Sequence, residues 1–353
     1  MRAWQVHTLG DPEQGLRLAE VDKPRPGPGE VVIGVRAAAL NFFDILLCRG
    51  EYQERPELPF TPGGEISGTV LAAGEGAGLP TGRRVIATPP LPRGGYAEKV
   101  AVPETSVFPI PDSMPFEKAA ALPITYQTAH VALHRRARLG SGETVLVHAG
   151  AGGVGSAAIQ IAKSAGARVI ATAGGSRKVG ICEKLGAQIT VDYREENFVE
   201  VVKEATDGRG ADVIFDPVGG DVFDGSRRCV AFEGRILVIG FAGGRIAEAP
   251  TNHVLVKNYS VVGMHWGLYT RVMPGLVRRT HEDLVNLYEA GEIDPLISEI
   301  VSFERLPEAL SMLGEGAPTA SSSCARTVAR TVSPRSLPRS RRWCVACAPR
   351  LRR

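Results

Sequence analysis

Apolar and polar positions divide the chain into two rhythms. Over about the first 120 residues, short apolar or alternating runs such as EVVIGVRAAAL, EISGTVLAAG, RRVIATPP and GGYAEKVAV are punctuated by Gly and Pro, which predicts a small irregular β-barrel. From about 122 to 265 the rhythm becomes strand, helix, strand: TVLVHAG, ARVIATAG, QITVDY, ADVIFDPVG, RILVIGFAG and YSVVGMHWG are six candidate strands, with helical spacing between most of them. Six strands joined by crossovers predict a doubly wound sheet. Beyond it, EDLVNLYEAGEIDP and FERLPEALSMLGEG read as helices, and LISEIVSF as a strand returning to the first domain.

The first of the six strands, Thr144 to Val147, runs through a glycine cluster into a helix that can bury Ala157, Ile159, Ile161 and Ala162. Gly150, Gly152 and Gly155 satisfy G-x-G-x-x-G, whose glycines allow a sharp turn, close approach of a pyrophosphate to backbone N–H groups, and close helix-to-strand packing. The positive end of the helix dipole adds to such a pocket. A glycine-rich turn that binds nothing is the bland alternative, but the flanking strand and helix favour a dinucleotide.

An NAD site usually places Asp or Glu about 20 residues further on, to accept hydrogen bonds from the ribose hydroxyls. Between Ser156 and Cys182 there is no carboxylate, and the second strand ends instead in Gly174, Gly175, Ser176, Arg177 and Lys178. Small residues leave room for a 2′-phosphate and a cation neutralises it, so NADPH is expected over NADH. The other reading of Arg177 and Lys178 is a solvated pair opening a helix.

At 353 residues the chain is long enough for two domains, and 44% hydrophobic with 22% charged residues is the balance of a soluble globular protein. No apolar run approaches the roughly 18 residues that span a membrane, and the N-terminus lacks a signal-peptide core, so a cytoplasmic location without membrane partners is expected. Cys48, Cys182 and Cys229 are scattered through the main body, which argues for reduced thiols.

Taken together, PRPGPGEVVIGVRAAALNFFDI, PGGEISG, AAALPITYQTAHVAL, the glycine turn, FDPVGGDVFD and LVKNYSVVGMHWG resemble the medium-chain dehydrogenase/reductase superfamily, and within it the zinc-independent NADPH:quinone oxidoreductases. The similarity extends from residue 1 to about 318. It implies an α/β fold in which a doubly wound Rossmann domain, residues 122–265, is inserted into a GroES-like β-rich catalytic domain made of residues 1–121 and 266–318. Zinc-dependent alcohol dehydrogenases of this superfamily carry a cysteine where this chain has Asn41 and a histidine where it has Gly64, and a catalytic zinc normally needs three protein ligands. No metal is therefore expected. Without a Lewis acid, an already electrophilic acceptor is the better substrate than an alcohol.

By the same resemblance, Asn41 and Thr128 lie near the nicotinamide and its ribose, and Gly152, Gly153 and Val154 against the pyrophosphate. Lys178 and Tyr193, with Ser176, surround the 2′-phosphate. Gly240 and Phe241 close over the cofactor, and Trp266 and Gly267 border the nicotinamide pocket. Tyr52 is the candidate to orient the acceptor oxygen or donate a proton, with an exposed loop tyrosine as its equal alternative. Asn41 and Asp44 can instead be turn caps; the cofactor role is preferred for Asn41 because a neutral amide suits a carboxamide and ribose. The expected activity is hydride transfer from NADPH to a quinone. An enone or enoyl-thioester reductase is the rival, and a protein that binds NADPH without turnover the alternative of another class. A homodimer is expected, pairing through SVVGMHW as an edge strand.

The resemblance ends after Pro318. Residues 320–353 hold nine arginines and no Lys, Asp or Glu, so without them the net charge falls from +3 to −6. The segment from Thr319 to Cys324 matches Thr-Gly-Lys-Leu-Val-Val-Arg read after loss of one G, because ACG GGC AAG CTC GTC GTG CGC becomes ACG GCA AGC TCG TCG TGC. Residues 319–353 are therefore expected to be a frameshifted, disordered tail, with Cys344 and Cys347 no metal motif and the arginines no nucleic-acid site. A basic tail for an acidic partner is the competing reading. The loss of the family's last strand should leave an edge of the catalytic domain unpaired.

Overall fold

The computed structural model describes residues 1–315, 326–331 and 342–345, grouped in two compact units. The first unit holds residues 1–124 and 295–314 with the two C-terminal strands; the second is residues 125–294.

In the first unit β1 (Arg2–Val6) and β2 (Leu16–Glu20) form an antiparallel pair. The larger sheet is built on β3 (Glu30–Leu40), which pairs antiparallel with β4 (Ile66–Ala73); β5 (Arg84–Ala87) and β7 (Val107–Pro109) extend it beyond β4, and β6 (Lys99–Pro103) lies beside residues 30–34 of β3. Ile33, Val35, Leu40, Val70 and Val102 from these strands meet Phe303, Leu306 and Leu310 of the return segment in one core. The Trp4 indole N–H donates to the Phe303 carbonyl at 2.8 Å.

In the second unit, six strands lie parallel in the order β10-β9-β8-β11-β12-β13: β8 (Thr144–Val147), β9 (Arg168–Ala173), β10 (Ile189–Asp192), β11 (Ala211–Asp216), β12 (Val230–Val238) and β13 (Ser260–Gly263). Each of the six apolar runs is a strand. Val145, Leu146 and Val147 of β8 are all fully buried, which is why the run is continuous rather than alternating. The order of strands reverses between β8 and β11, the switch point at which open α/β sheets bind ligands.

Three expectations change. The return to the first unit falls at Pro295 rather than at 266. Residues 266–294 stay with the sheet unit because Gln160 Oε1 accepts from the Asp294 N–H at 2.6 Å, while Val277 and Leu284 of the helix Pro274–Glu289 are buried. LISEIVSF forms no regular strand; Val301 and Phe303 anchor it through their side chains instead. Within residues 319–353, expected to be disordered, β14 (Arg326–Thr331) pairs with residues 37–40 of β3, and β15 (Arg342–Val345) pairs with β14. The edge expected to be bare is thus paired there. The Thr319–Cys324 segment and Cys347 lie outside the described residues. No helix among the described residues is long and apolar enough to cross a membrane.

Candidate active site

The glycine turn follows β8 directly and ends in the helix Gly153–Ser164, whose N-cap, Gly152, has no side chain to satisfy the first amides. The left-handed residue is Ala149, at φ 50°, rather than a glycine. Gly150 and Gly155 are needed for space: a Cβ on Gly155 would lie 2.3 Å from the Ala149 carbonyl oxygen, and one on Gly150 2.8 Å from Cys182 Sγ. Absent side chains thus bring the helix start against the turn, leaving N–H groups and the dipole end where an anion can reach them. Val154 is half-buried in the first helical turn. His148, immediately before the turn, is fully buried between Thr172 and Ser226.

At the end of β9, Gly174 and Gly175 lead into the helix Ser176–Leu185. A Cβ on Gly174 would stand 2.4 Å from Tyr193 Oη and 3.1 Å from Arg194 Nε, so phenol and guanidinium both cover this turn. Tyr193 Oη is buried without a hydrogen-bond partner among the described residues. Asp192 sits at the end of β10, and its Oδ1 accepts from the amides of both Gly175 and Arg194, at 2.9 and 3.1 Å. Ser176 is exposed and Lys178 half-exposed on the first helical turn. The turn thus gathers an unpartnered buried hydroxyl and the Arg194 guanidinium at the start of a helix, a setting that suits an anion. Arg194 was not among the sequence candidates; its signal was the basic residue next to Tyr193.

After β12, Gly240 is half-buried and Phe241 exposed. This loop is strapped to the turn after β11: Ala242 and Gly243 donate their amides to the Pro217 and Val218 carbonyls, and Arg245 pairs with Asp221 and Asp224 at 2.7 and 2.6 Å. Asp216, which shapes that turn by accepting from the amides of Val218 and Gly219, is pushed up to about 6 by burial. Thr128 is buried in the short helix Gln127–His130. Trp266 is buried and stacked on Tyr269, its Nε1 without a partner among the described residues, and Gly267 beside it is exposed.

In the first unit, Asn41 links β3 to the helix Phe42–Arg49. Its backbone N–H donates to Asp44 Oδ2 at 3.0 Å, which is the cap foreseen for Asp44, and its side-chain Nδ2 donates to Glu65 Oε1 at 2.7 Å. Both carboxyls are fully buried. Burial pushes Asp44 up to about 7, against the opposing pull of the Tyr96 hydroxyl and the amides of Asn41, Gly63 and Gly64. It pushes Glu65 up to about 8, against the donors Asn41 and Ile124. Tyr52 is half-buried rather than exposed, its ring 5.5 Å from that of Phe43, and burial raises its hydroxyl above the usual range. Tyr96 carries no motif that sequence reasoning could single out; Glu65 lies in the PGGEISG motif but was not among the site candidates.

The metal position can be tested on the same residues. A Cβ on Gly64 would lie 2.4 Å from Phe43 Cζ, so the Phe43 ring fills the space a ligand at 64 would need. Asn41 already donates one side-chain N–H to Glu65. Among the described residues, no group of three or more His, Cys, Asp or Glu is arranged to hold a metal. These residues do not fit a catalytic zinc.

A parallel six-stranded sheet with a glycine turn at its switch point, in a chain whose other unit is an antiparallel β-domain, defines a medium-chain dehydrogenase/reductase. Two family models match: alcohol dehydrogenase GroES-like domain over residues 27–112 and zinc-binding dehydrogenase over residues 153–282. A quinone oxidoreductase-like protein 2 homolog of Nematostella vectensis is 42% identical over 292 residues, covering 81% of this chain and 79% of that protein. The solved quinone oxidoreductase of Pseudomonas syringae superposes with a TM-score of 0.82 at 32% identity, covering 91% and 98% of the two chains. A mycobacterial protein solved in complex with NADPH gives a TM-score of 0.81 at 29% identity, covering 91% and 98%. The chain belongs to the quinone oxidoreductase family of the medium-chain dehydrogenase/reductases. It is an NAD(P)-dependent oxidoreductase acting on a small molecule.

Proposed function

We propose that the chain is a zinc-independent, NADPH-dependent reductase whose acceptor is a quinone. The observation that carries this reading is Phe43 in the space of a ligand at position 64: with no Lewis acid to polarise an alcohol, the acceptor must itself be electrophilic. Bound nicotinamide would supply the hydride. The amides at Gly152, Gly153 and Val154 hold the pyrophosphate. Ser176, Lys178 and Tyr193, joined by Arg194, hold the 2′-phosphate, while Asp192 is engaged by backbone amides. Asn41 and Thr128 orient the nicotinamide end; Trp266 and Gly267 border it, and Gly240 and Phe241 cover the cofactor. Tyr52 keeps its proton through the neutral range, so it can donate one as the acceptor oxygen gains charge.

The family supports a homodimer, and so does β13: it is the edge of its sheet, with Val261 exposed on it and Leu255 and Val256 exposed on the preceding helix. The test is a panel of quinones, enones and enoyl-CoAs assayed with each cofactor. Quinone turnover with NADPH is expected, and turnover of enoyl-CoAs alone would assign the rival activity. Binding of NADPH without oxidation against any acceptor would overturn the enzyme reading.

A further inference from the structure

Glu65 is a fully buried carboxyl in the first unit that the proposed function leaves without a role. It is fully buried, and its partners are two neutral donors: the Ile124 amide on Oε2 at 2.8 Å and the Asn41 carboxamide on Oε1 at 2.7 Å. Among the described residues no Lys or Arg pairs with it. A carboxyl buried on such terms costs stability, whichever form it takes, and an apolar residue of similar volume would avoid that cost. What the carboxylate does achieve is local. Asn41 is gripped twice, its main chain by Asp44 and its side chain by Glu65, and the second bond is short, at 2.7 Å. The rotation of the carboxamide is thereby fixed, and one of its two N–H groups is left uncommitted.

We propose that Glu65 is a positioning residue for hydride transfer, holding the Asn41 carboxamide so that it presents a fixed N–H donor to the nicotinamide end of the cofactor. This rests on the reading that Asn41 touches that end. A donor already oriented needs no reorganisation as charge develops, and a small misplacement at such a contact is felt in kcat.

Two variants test it. In E65Q the side chain has one acceptor and one donor facing two N–H donors, so it can satisfy Ile124 or Asn41 but not both. In the double variant E65Q/N41D, the introduced carboxamide accepts from Ile124 through its oxygen and donates to the new carboxylate through its nitrogen: the bonds return with reversed polarity, and residue 41 has no N–H to present. We expect E65Q to lower kcat for NADPH-dependent reduction about 10- to 100-fold, with the acceptor KM changed less than about threefold. The double variant should recover the wild-type melting temperature but not kcat. Undiminished kcat in E65Q, or recovery of kcat along with the melting temperature in E65Q/N41D, overturns the positioning role. If E65Q does not fold, the double variant decides on the same criterion. A wild-type protein that neither binds nor oxidises NADPH overturns the cofactor reading and this inference together; an active wild type with an equally active E65Q overturns this inference alone.

Discussion

Acid should weaken the cofactor unit through His148. Its Nε2 lies 2.9 Å from Ser226 Oγ, whose own proton goes to the Val222 carbonyl at 2.8 Å, so Ser226 can only accept and the imidazole proton sits on Nε2. Thr172 then donates to Nδ1 across 3.1 Å. The neutral ring is fully satisfied, edge-on to Phe198 at 4.8 Å, and burial pushes it down from 6.5 to about 3. Because the folded value is the lower one, the stabilisation is complete above the unfolded value and is lost as pH falls from about 6.5 towards about 3. The full displacement corresponds to about 5 kcal/mol, and the part realised between pH 7 and pH 5 is about 2 kcal/mol. Urea unfolding of wild type and His148→Gln at the two pH values measures it. The variant should be less stable by about 1–3 kcal/mol at pH 7, from its broken hydrogen bonds, but its deficit should shrink by about 2 kcal/mol at pH 5. Asp44, Glu65 and Asp216, all pushed up by burial, act with the opposite sign but are common to both proteins and cancel. An equal deficit at both pH values would refute the assignment of a neutral buried imidazole.

Lys178→Ala should cost about 1.5–3 kcal/mol of NADPH affinity, at least about tenfold, and little of NADH affinity; an unchanged ratio of the two dissociation constants would remove Lys178 from the phosphate site. Elemental analysis should find no stoichiometric zinc and chelators should leave turnover intact, while one zinc per chain would sink the metal-free mechanism. Gly64→Ala should destabilise by about 1–3 kcal/mol through its contact with Phe43, as seen in thermal melts, and a smaller residue at position 43 should relieve much of that cost. Light scattering at micromolar concentration should report a dimer that Val261→Lys dissociates, and a wild-type monomer would defeat the edge-strand interface. Resequencing and intact mass should decide whether the frame is shifted after Thr319, and restoring TGKLVVR should raise both the melting temperature and turnover.

How much of this was legible in the sequence depends on whether the cause was local. The six strands were readable because a doubly covered sheet demands continuous apolar runs such as Val145 to Val147, and the glycine turn because Gly150 and Gly155 exclude side chains that would strike Cys182 and Ala149. The domain return was misplaced because the helix Pro274–Glu289 has nothing in its own pattern to name its partner; the tie from Gln160 to Asp294 spans 134 residues. Glu65 was invisible for the same reason. EISGTVLAAG reads as a β run, and its first residue shows its partners only when Asn41 and the Ile124 amide are brought to it.

The C-terminal segment shows the limit of reading side chains at all. A run of arginines with no apolar periodicity predicts no strand, yet residues 326–329 pair with residues 37–40 of β3, on the side that β6 occupies at residues 30–34. β4 covers the other side of β3, so the unsatisfied amides and carbonyls at that end offered one free edge, and a sheet edge accepts any backbone that can extend. The ladder is therefore indifferent to a change of frame, while the side chains that the ladder carries are not. The restored chain should therefore gain its stability from apolar packing beneath the strand. The Ala39 amide already donates to the Glu65 carbonyl, so the flanking Ala38 and Leu40 amides are the ones that report on β14; their hydrogen exchange would be slowed in both chains, and protection of those two confined to the restored chain would show that the shifted backbone does not pair.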